Sequence, residues 1–240
     1  MSFAFLRLKK AVPVPVKSFL KTLGFGRVLP LLKDKYYEEL EFQIDWAEEF
    51  VDNVPQVLQY WRQYRCLDDI NKICEFNDHT KVLDVGCGIS TVLHFVPGKR
   101  YGIDPLAEKY KKVYQYPAGV EIQEGFGEDI PFEDEYFDVI FCSNAIDHMS
   151  DPIRSMQEIY RVLAPSGKFV FTVEVFSHKV ERNLAHPHTL TKEDVYKLLE
   201  GRFNIIFEKE SVWVGVSHYV HGSRRGDNIE MITVSEKIVS

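Results

Sequence analysis

The stretch VLDVGCGIS at 82–90 constrains this chain more than any other. Val82, Leu83 and Val85 form a short apolar run suited to a strand buried on both faces. The run carries Asp84 inside it and breaks at Gly86-Cys87-Gly88. Glycine there permits either a positive φ or the close approach of another group to bare backbone. A buried strand emptying into such a turn suits a sheet that holds a ligand beyond its carboxyl edge.

The downstream residues fit that sheet. From Lys81 the pattern predicts strands over 81–85, 100–104, 120–124, 138–143, 168–176, 204–211 and 229–237. Helices are expected near 90–95 and over 105–114, 151–162 and 191–200. Alternating strands and helices imply mostly parallel pairing, right-handed crossovers and helices on both faces. FDVIFC at 137–142 reads as a central strand. Ahead of Lys81, Tyr36, Leu40, Ile44 and Ala47 recur at helical spacing, and a second helical run covers Val57 to Ile73. Asn53 and Pro55 are expected to divide them. The organisation read from the sequence is an arm over 1–34, a helical lid over 35–76 and an α/β domain over 77–240.

Charge separates the arm from the body. Seven Lys and Arg and no acid precede Asp34, which leaves the rest at −14 against a total of −7. The acidic body speaks against a nucleic-acid-binding surface. The basic head is interleaved with Phe3, Phe5, Leu6, Leu8, Phe19, Leu20 and Phe25, as an interfacial anchor to a membrane face would be. Pro13, Pro15 and Pro30 interrupt any long helix there and favour a loosely docked arm instead. No apolar run long enough to span a bilayer appears, and no secretory leader is read at the N-terminus. Cys66, Cys74, Cys87 and Cys142 form no C-x-x-C pair, so reduced thiols in a cytoplasmic protein, and no zinc site, are expected.

A glycine turn after a first strand serves several cofactors. The dinucleotide fingerprint needs a third glycine where Thr91 stands, and no Gly-Lys-Ser/Thr follows for a phosphate loop. Asp104, in RYGIDP, ends the second strand where a carboxylate can accept both hydroxyls of a ribose. Capping the helix after Pro105 is its simpler role. A third segment, GFGEDIPFEDEYFDVIFCSNAIDH at 125–148, places polar loops before and after the fourth strand.

Together these segments resemble the class I S-adenosylmethionine-dependent methyltransferases, in particular the small-molecule subfamily of the methyltransferase domain 11 type. The similarity continues through DPIRSMQEIYRVLAPSGKFVFTV at 151–173 and covers about 81–175 well. It implies a Rossmann-like fold, with a seven-stranded, mostly parallel sheet and an antiparallel C-terminal strand. It implies S-adenosylmethionine as cofactor. On matched positions, Gly86, Cys87 and Gly88 would admit its methionyl portion and Asp84 would stand near its ammonium. Asp104 would bind the ribose, with Pro105 and Leu106 beside the adenine. Gly127 and Glu128 would lie at the adenine amine, where Phe126 replaces the family's frequent Asp. Asn144 would face the methionyl end or the transfer point. Cys87 by itself reads as a small packed residue.

Methyl transfer to an alcohol needs a proton removed, and His148 is the leading candidate base, with Asp147 as an alternative or as its orienting partner. His186 and His188 follow the fifth strand on the same rim. The expected acceptor is a small molecule or glycan, most readily methylated at oxygen, and HPH at 186–188 hints at polysaccharide biosynthesis. His218, His221, Arg224 and Arg225 lie in an insert that reads as an acceptor loop or a plain solvated hairpin. Trp46, Tyr60, Trp61 and Tyr64 line the expected lid. Competing readings are a non-catalytic scaffold of the same fold and, less consistent with Thr91, a nicotinamide-dependent oxidoreductase.

Overall fold

The computed structural model describes residues 35–178, 187–211 and 228–239. The basic arm, His186 and the insert carrying His218, His221, Arg224 and Arg225 lie outside the described residues. Helices α1 (Lys35–Tyr64) and α2 (Leu67–Cys74) precede strand β1 (Lys81–Val85). Then come β2 (Lys99–Ile103), α3 (Ala107–Tyr110), β3 (Val120–Gln123) and β4 (Phe137–Ser143). Helix α4 (Pro152–Val162), β5 (Leu163–Phe176), α5 (Lys192–Leu199), β6 (Phe203–Ser211) and β7 (Asn228–Lys237) complete the order.

The seven strands form one sheet in the order β3-β2-β1-β4-β5-β7-β6. Pairs from β3 to β5 are parallel, and β7 is antiparallel to both β5 and β6. The order reverses between β1 and β2 on one side and β4 on the other, so the crevice above that switch is where such a sheet takes ligands. Side chains alternate between two apolar layers. Val82, Val139, Phe141, Val170, Ile232 and Val234 pack with α1 and α2. Leu83, Ile140, Phe169, Phe171, Val173 and Met231 pack with α4 and α5.

Local chemistry explains the elements. Asp151 caps α4 by accepting the Arg154 amide at 3.0 Å, with Pro152 in the first turn. Thr191 and Asp194 form a reciprocal capping box at the start of α5. Arg161 clamps the segment before β4 to α4: it donates to the carbonyls of Ile130 (2.9 Å) and Phe132 (2.8 Å) and to the carboxylates of Asp134 and Glu158 (both 2.7 Å).

Three expectations need correction. Pro55 does not divide the N-terminal helices; it sits inside the 30-residue α1. A proline removes one amide and crowds one carbonyl, at about 3 kcal/mol. Leu40, Ile44 and Ala47 before it and Val57 and Trp61 after it bury in one core, which holds both halves in line. The break falls instead at Cys66, whose φ of 55° is left-handed. The helix expected over 105–114 is regular only over Ala107–Tyr110, and beyond it the chain tightens into turns as far as Tyr114. The fifth strand starts earlier than expected, because a bulge between Phe137 and Val139 lets Leu163 pair before the Pro165–Gly167 turn.

Candidate functional site

The glycine turn is a left-handed piece of backbone held from several directions. Gly86 and Gly88 have φ of 71° and 51°. The amides of Gly86 and Cys87 both reach the Ile103 carbonyl, at 2.9 and 3.1 Å. What approaches the two glycines is the chain itself. A Cβ on Gly86 would stand 2.4 Å from Ala145 Cβ, and one on Gly88 would stand 2.5–2.8 Å from the Gln43 amide. Gln43, from α1, accepts the Ile89 amide at 2.6 Å. Trp61 donates to the Ser90 carbonyl at 3.2 Å, and Tyr116 donates to the Gly88 carbonyl at 2.9 Å.

Two buried carboxylates flank this turn. Asp104, 8% exposed, accepts the Gly88 amide on Oδ2 (3.1 Å) and the Leu106 amide on Oδ1 (2.8 Å). Each oxygen therefore keeps a lone pair for another donor. Asp84 accepts the Thr91 hydroxyl on Oδ2 at 2.6 Å, while its Oδ1 is buried with no hydrogen-bond partner. Burial pushes both carboxyls up to about 7; Glu39 adds to this at Asp104, and the Asp104 charge adds to it at Asp84. Thr91 thus anchors Asp84 and caps the 3-10 turn Val92–His94.

The other expected residues divide between facing this crevice and supporting it. Leu106 packs in the α1-side layer, and Pro105 is half-buried beside it. Cys87 is buried against Gly102, its thiol pushed well up by burial, in keeping with a packing role. Gly127 lies under Met149. Glu128 accepts the amides of Ser150 (2.6 Å) and Asp151 (3.1 Å), so it anchors the entry to α4. Phe126, in the loop after β3, is 45% exposed rather than packed in the core.

Asn144 follows β4 with φ of 48°, and its Oδ1 is buried without a hydrogen-bond partner. The turn Ile146–His148 comes next. His148 is half-buried, its Nε2 3.9 Å from Asp147 Oδ1. His188 accompanies them: its amide reaches the Asp147 carbonyl at 3.4 Å and its Nε2 the Met149 carbonyl at 2.9 Å. Ile146 and Met149 pack in the α4/α5 layer, which puts this histidine group on that side of the rim. His188 also lines a cleft of about 510 Å³ with Pro152, Ile153, Pro187 and Leu190.

Gln43, Arg65, Thr91 and Glu230 carry no motif that marks them as site residues in the sequence. Arg65 Nη2 stands 3.0 Å from Glu230 Oε1 in a buried ion pair, and Arg65 Nε donates to the Tyr60 hydroxyl at 3.1 Å. Arg65 also draws Asp84 toward its charged form. A weaker signal for Glu230 is present: it occupies a core-facing position of β7, in alternation with Ile232 and Val234. Among the described residues no group of three or more His, Cys, Asp or Glu is placed to hold a metal ion, and no helix is long and apolar enough to cross a membrane.

Comparison with known proteins agrees with this geometry. Residues 83–171 match the family model described as a methyltransferase domain. The chain is 35% identical over 107 residues to the uncharacterized methyltransferase YcgJ of Bacillus subtilis, covering 41% of this chain and 42% of that one. It is 34% identical over 105 residues to a ubiquinone biosynthesis O-methyltransferase of Pseudomonas putida, covering 38% and 43%. The chain thus spans less than half the length of these curated relatives. Its fold is shared with the [4+2]-cyclase SpnF, at a TM-score of 0.57 and 19% identity over 73% of this chain and 82% of that one.

Proposed function

We propose that this chain, whose central segment is a class I S-adenosylmethionine-dependent methyltransferase domain, transfers a methyl group to a small-molecule or glycan acceptor, at oxygen. The observation that carries the reading is the pair of buried carboxylates on neighbouring strand ends. Asp84 has one orphaned oxygen, and Asp104 has one backbone amide on each.

These residues fit S-adenosylmethionine. The free lone pairs of Asp104 suit the two ribose hydroxyls. The orphaned Oδ1 of Asp84 suits the methionyl ammonium, and the orphaned Nη1 of Arg65 suits its carboxylate. Exposed Phe126 offers a ring to the adenine. The cofactor supplies a methyl carbon already activated by positive sulfur.

The chain's own residues then supply alignment, exclusion of water and a place for a proton. Gln43 and Trp61 hold α1 over the glycine turn and so act as a lid. Holding acceptor and donor in line contributes on the order of 7–11 kcal/mol in favourable cases. His148, beside the Asp147 carboxylate at the end of β4, is the base we assign for an alcohol acceptor. The O-methyltransferase relative supports oxygen as the target atom.

Calorimetric titration with S-adenosylmethionine and with S-adenosylhomocysteine tests the reading. Micromolar binding is expected, weakened roughly 10–100-fold in Asp104→Ala by loss of hydrogen bonds to a charged group. A folded protein that binds neither compound overturns it. Labelled donor incubated with fractionated cell extract, followed by mass spectrometry of the labelled product, identifies the acceptor.

A further inference from the structure

The alternation of the strands places a second set of polar side chains on one face of the rim. On β1, Val82 faces α1 and Leu83 faces away, so Asp84 shares the α1 side. The same parity puts Ser143 of β4 and Glu174 of β5 on the α1 side, and Glu230 of β7 with them. Glu174 and Glu230 are direct cross-strand partners, and Ser143 pairs with Thr172 one step further in. Arg65, entering from the end of α1, reaches this band against Glu230.

Arg65, Asp84, Thr172 and Glu230 of the band are buried, Ser143 and Glu174 half-buried, and the band's hydrogen bonding is incomplete. Glu230 is 2% exposed; Arg65 pairs with it at 3.0 Å and the Asn144 side chain stands within hydrogen-bonding reach, yet neither of its oxygens has a well-aligned hydrogen bond. Arg65 Nη1, Asp84 Oδ1, Ser143 Oγ and Asn144 Oδ1 are orphaned as well. Buried ion pairs normally persist when further hydrogen bonds meet their remaining lone pairs and protons. A buried carboxylate whose lone pairs are met so incompletely is costly unless a ligand completes it. Burial and the facing Glu174 push the Glu230 carboxyl up, while Arg65 and the adjacent Asn144 draw it down.

We propose that Glu230 is the carboxylate that contacts the methyl acceptor, accepting a hydrogen bond from an O–H or N–H group of the acceptor beside Asn144. The assignment rests on S-adenosylmethionine occupying the glycine turn. The Glu230 carboxylate can accept a hydrogen bond, so the site favours a hydroxyl or ammonium acceptor over a carboxylate or thiolate, which has no proton to offer. A carbon acceptor without such a donor would leave Glu230 unmet.

Sinefungin provides the probe. It carries a protonated amine where the donor has its methylsulfonium, so the amine stands at the point of transfer. Calorimetry on the whole protein should show sinefungin binding at least roughly tenfold more tightly than S-adenosylhomocysteine, as expected for a charge-assisted hydrogen bond. Glu230→Gln should abolish that preference, read as the ratio of the two affinities within one variant, because any change passed on through Arg65 affects both ligands alike. Glu230→Asp keeps Arg65 neutralised and withdraws the carboxylate by one methylene. It should reduce the preference too, which covers the case in which the amide variant fails to fold. A preference absent from the unmodified protein, or retained in a folded variant, overturns the assignment while S-adenosylhomocysteine binding still upholds the cofactor. Loss of all binding to the unmodified protein overturns both.

Discussion

The side-chain oxygen of Gln43 lies 2.6 Å from the amide nitrogen of Ile89, joining the long first helix to the glycine turn. The same Gln43 amide donates to Glu39 at 2.8 Å, so both ends of the group are engaged. A helix that the sequence sets apart from the α/β domain is thereby part of the turn's own support.

Gln43→Ala leaves the Ile89 amide buried without its acceptor. Urea denaturation is expected to show a loss of about 1–3 kcal/mol. Proteolysis within α1 should quicken in the same variant. An unchanged midpoint would mean that α1 does not depend on this tie.

The two glycines should differ in their tolerance of alanine. Both substitutions incur the left-handed penalty of about 1–2 kcal/mol. At Gly86 the new methyl meets Ala145 Cβ, which is attached to backbone, whereas at Gly88 it meets the end of the flexible Gln43 side chain. Gly86→Ala is therefore expected to lower the thermal midpoint more than Gly88→Ala. The reverse order would show that Gln43 cannot swing away.

The two aspartates link stability to protons. Burial pushes their carboxyls up to about 7 in the folded protein, against an ordinary 3.8 in the unfolded chain. The folded state binds more protons between those values, so this contribution to stability falls as pH rises from about 4 to about 7. A ligand ammonium at Asp84 favours the ionised form and expels a proton. Affinity for S-adenosylhomocysteine is expected to rise between about pH 6 and 8, with a binding enthalpy that tracks the buffer's ionisation heat. A pH-independent affinity would contradict the placement of the ammonium.

Arg161→Lys keeps the charge but not the planar fork that gathers two carbonyls and two carboxylates. Chemical denaturation should register a loss of about 1–3 kcal/mol. Glu158, whose carboxyl is held low chiefly by Arg161, should titrate higher in that variant. NMR titration of the carboxyl groups reads this directly.

The sheet is legible in the sequence because its central strands β1 and β4 are short and mostly apolar and its turns carry their own punctuation. The glycine turn and Asp104 are legible as a motif, and the structure places them together across β1 and β2. Pro55 misleads because the penalty of one proline is local, while the three buried apolar residues before it and the two after it act together. The Arg65–Glu230 pair joins residues remote in sequence, and no periodicity links them. Glu174 and Glu230 still leave a trace: each puts an acid on the face of its strand that also carries Val170 in β5 and Ile232 and Val234 in β7. Glu128 attracts notice for its charge, yet two backbone amides at the start of α4 engage one of its oxygens.

The reversed direction of β7 has a consequence for how firmly the rim is built. A residue near the beginning of that strand stands level with residues near the ends of β1, β4 and β5. Elsewhere along this edge the chain departs into loops that can adjust to what they meet. Glu230 instead sits in a ladder bonded on both flanks, to Glu174 of β5 and Ser211 of β6. Its backbone has no freedom to follow a guest, so a molecule docking there must conform to a rigid wall.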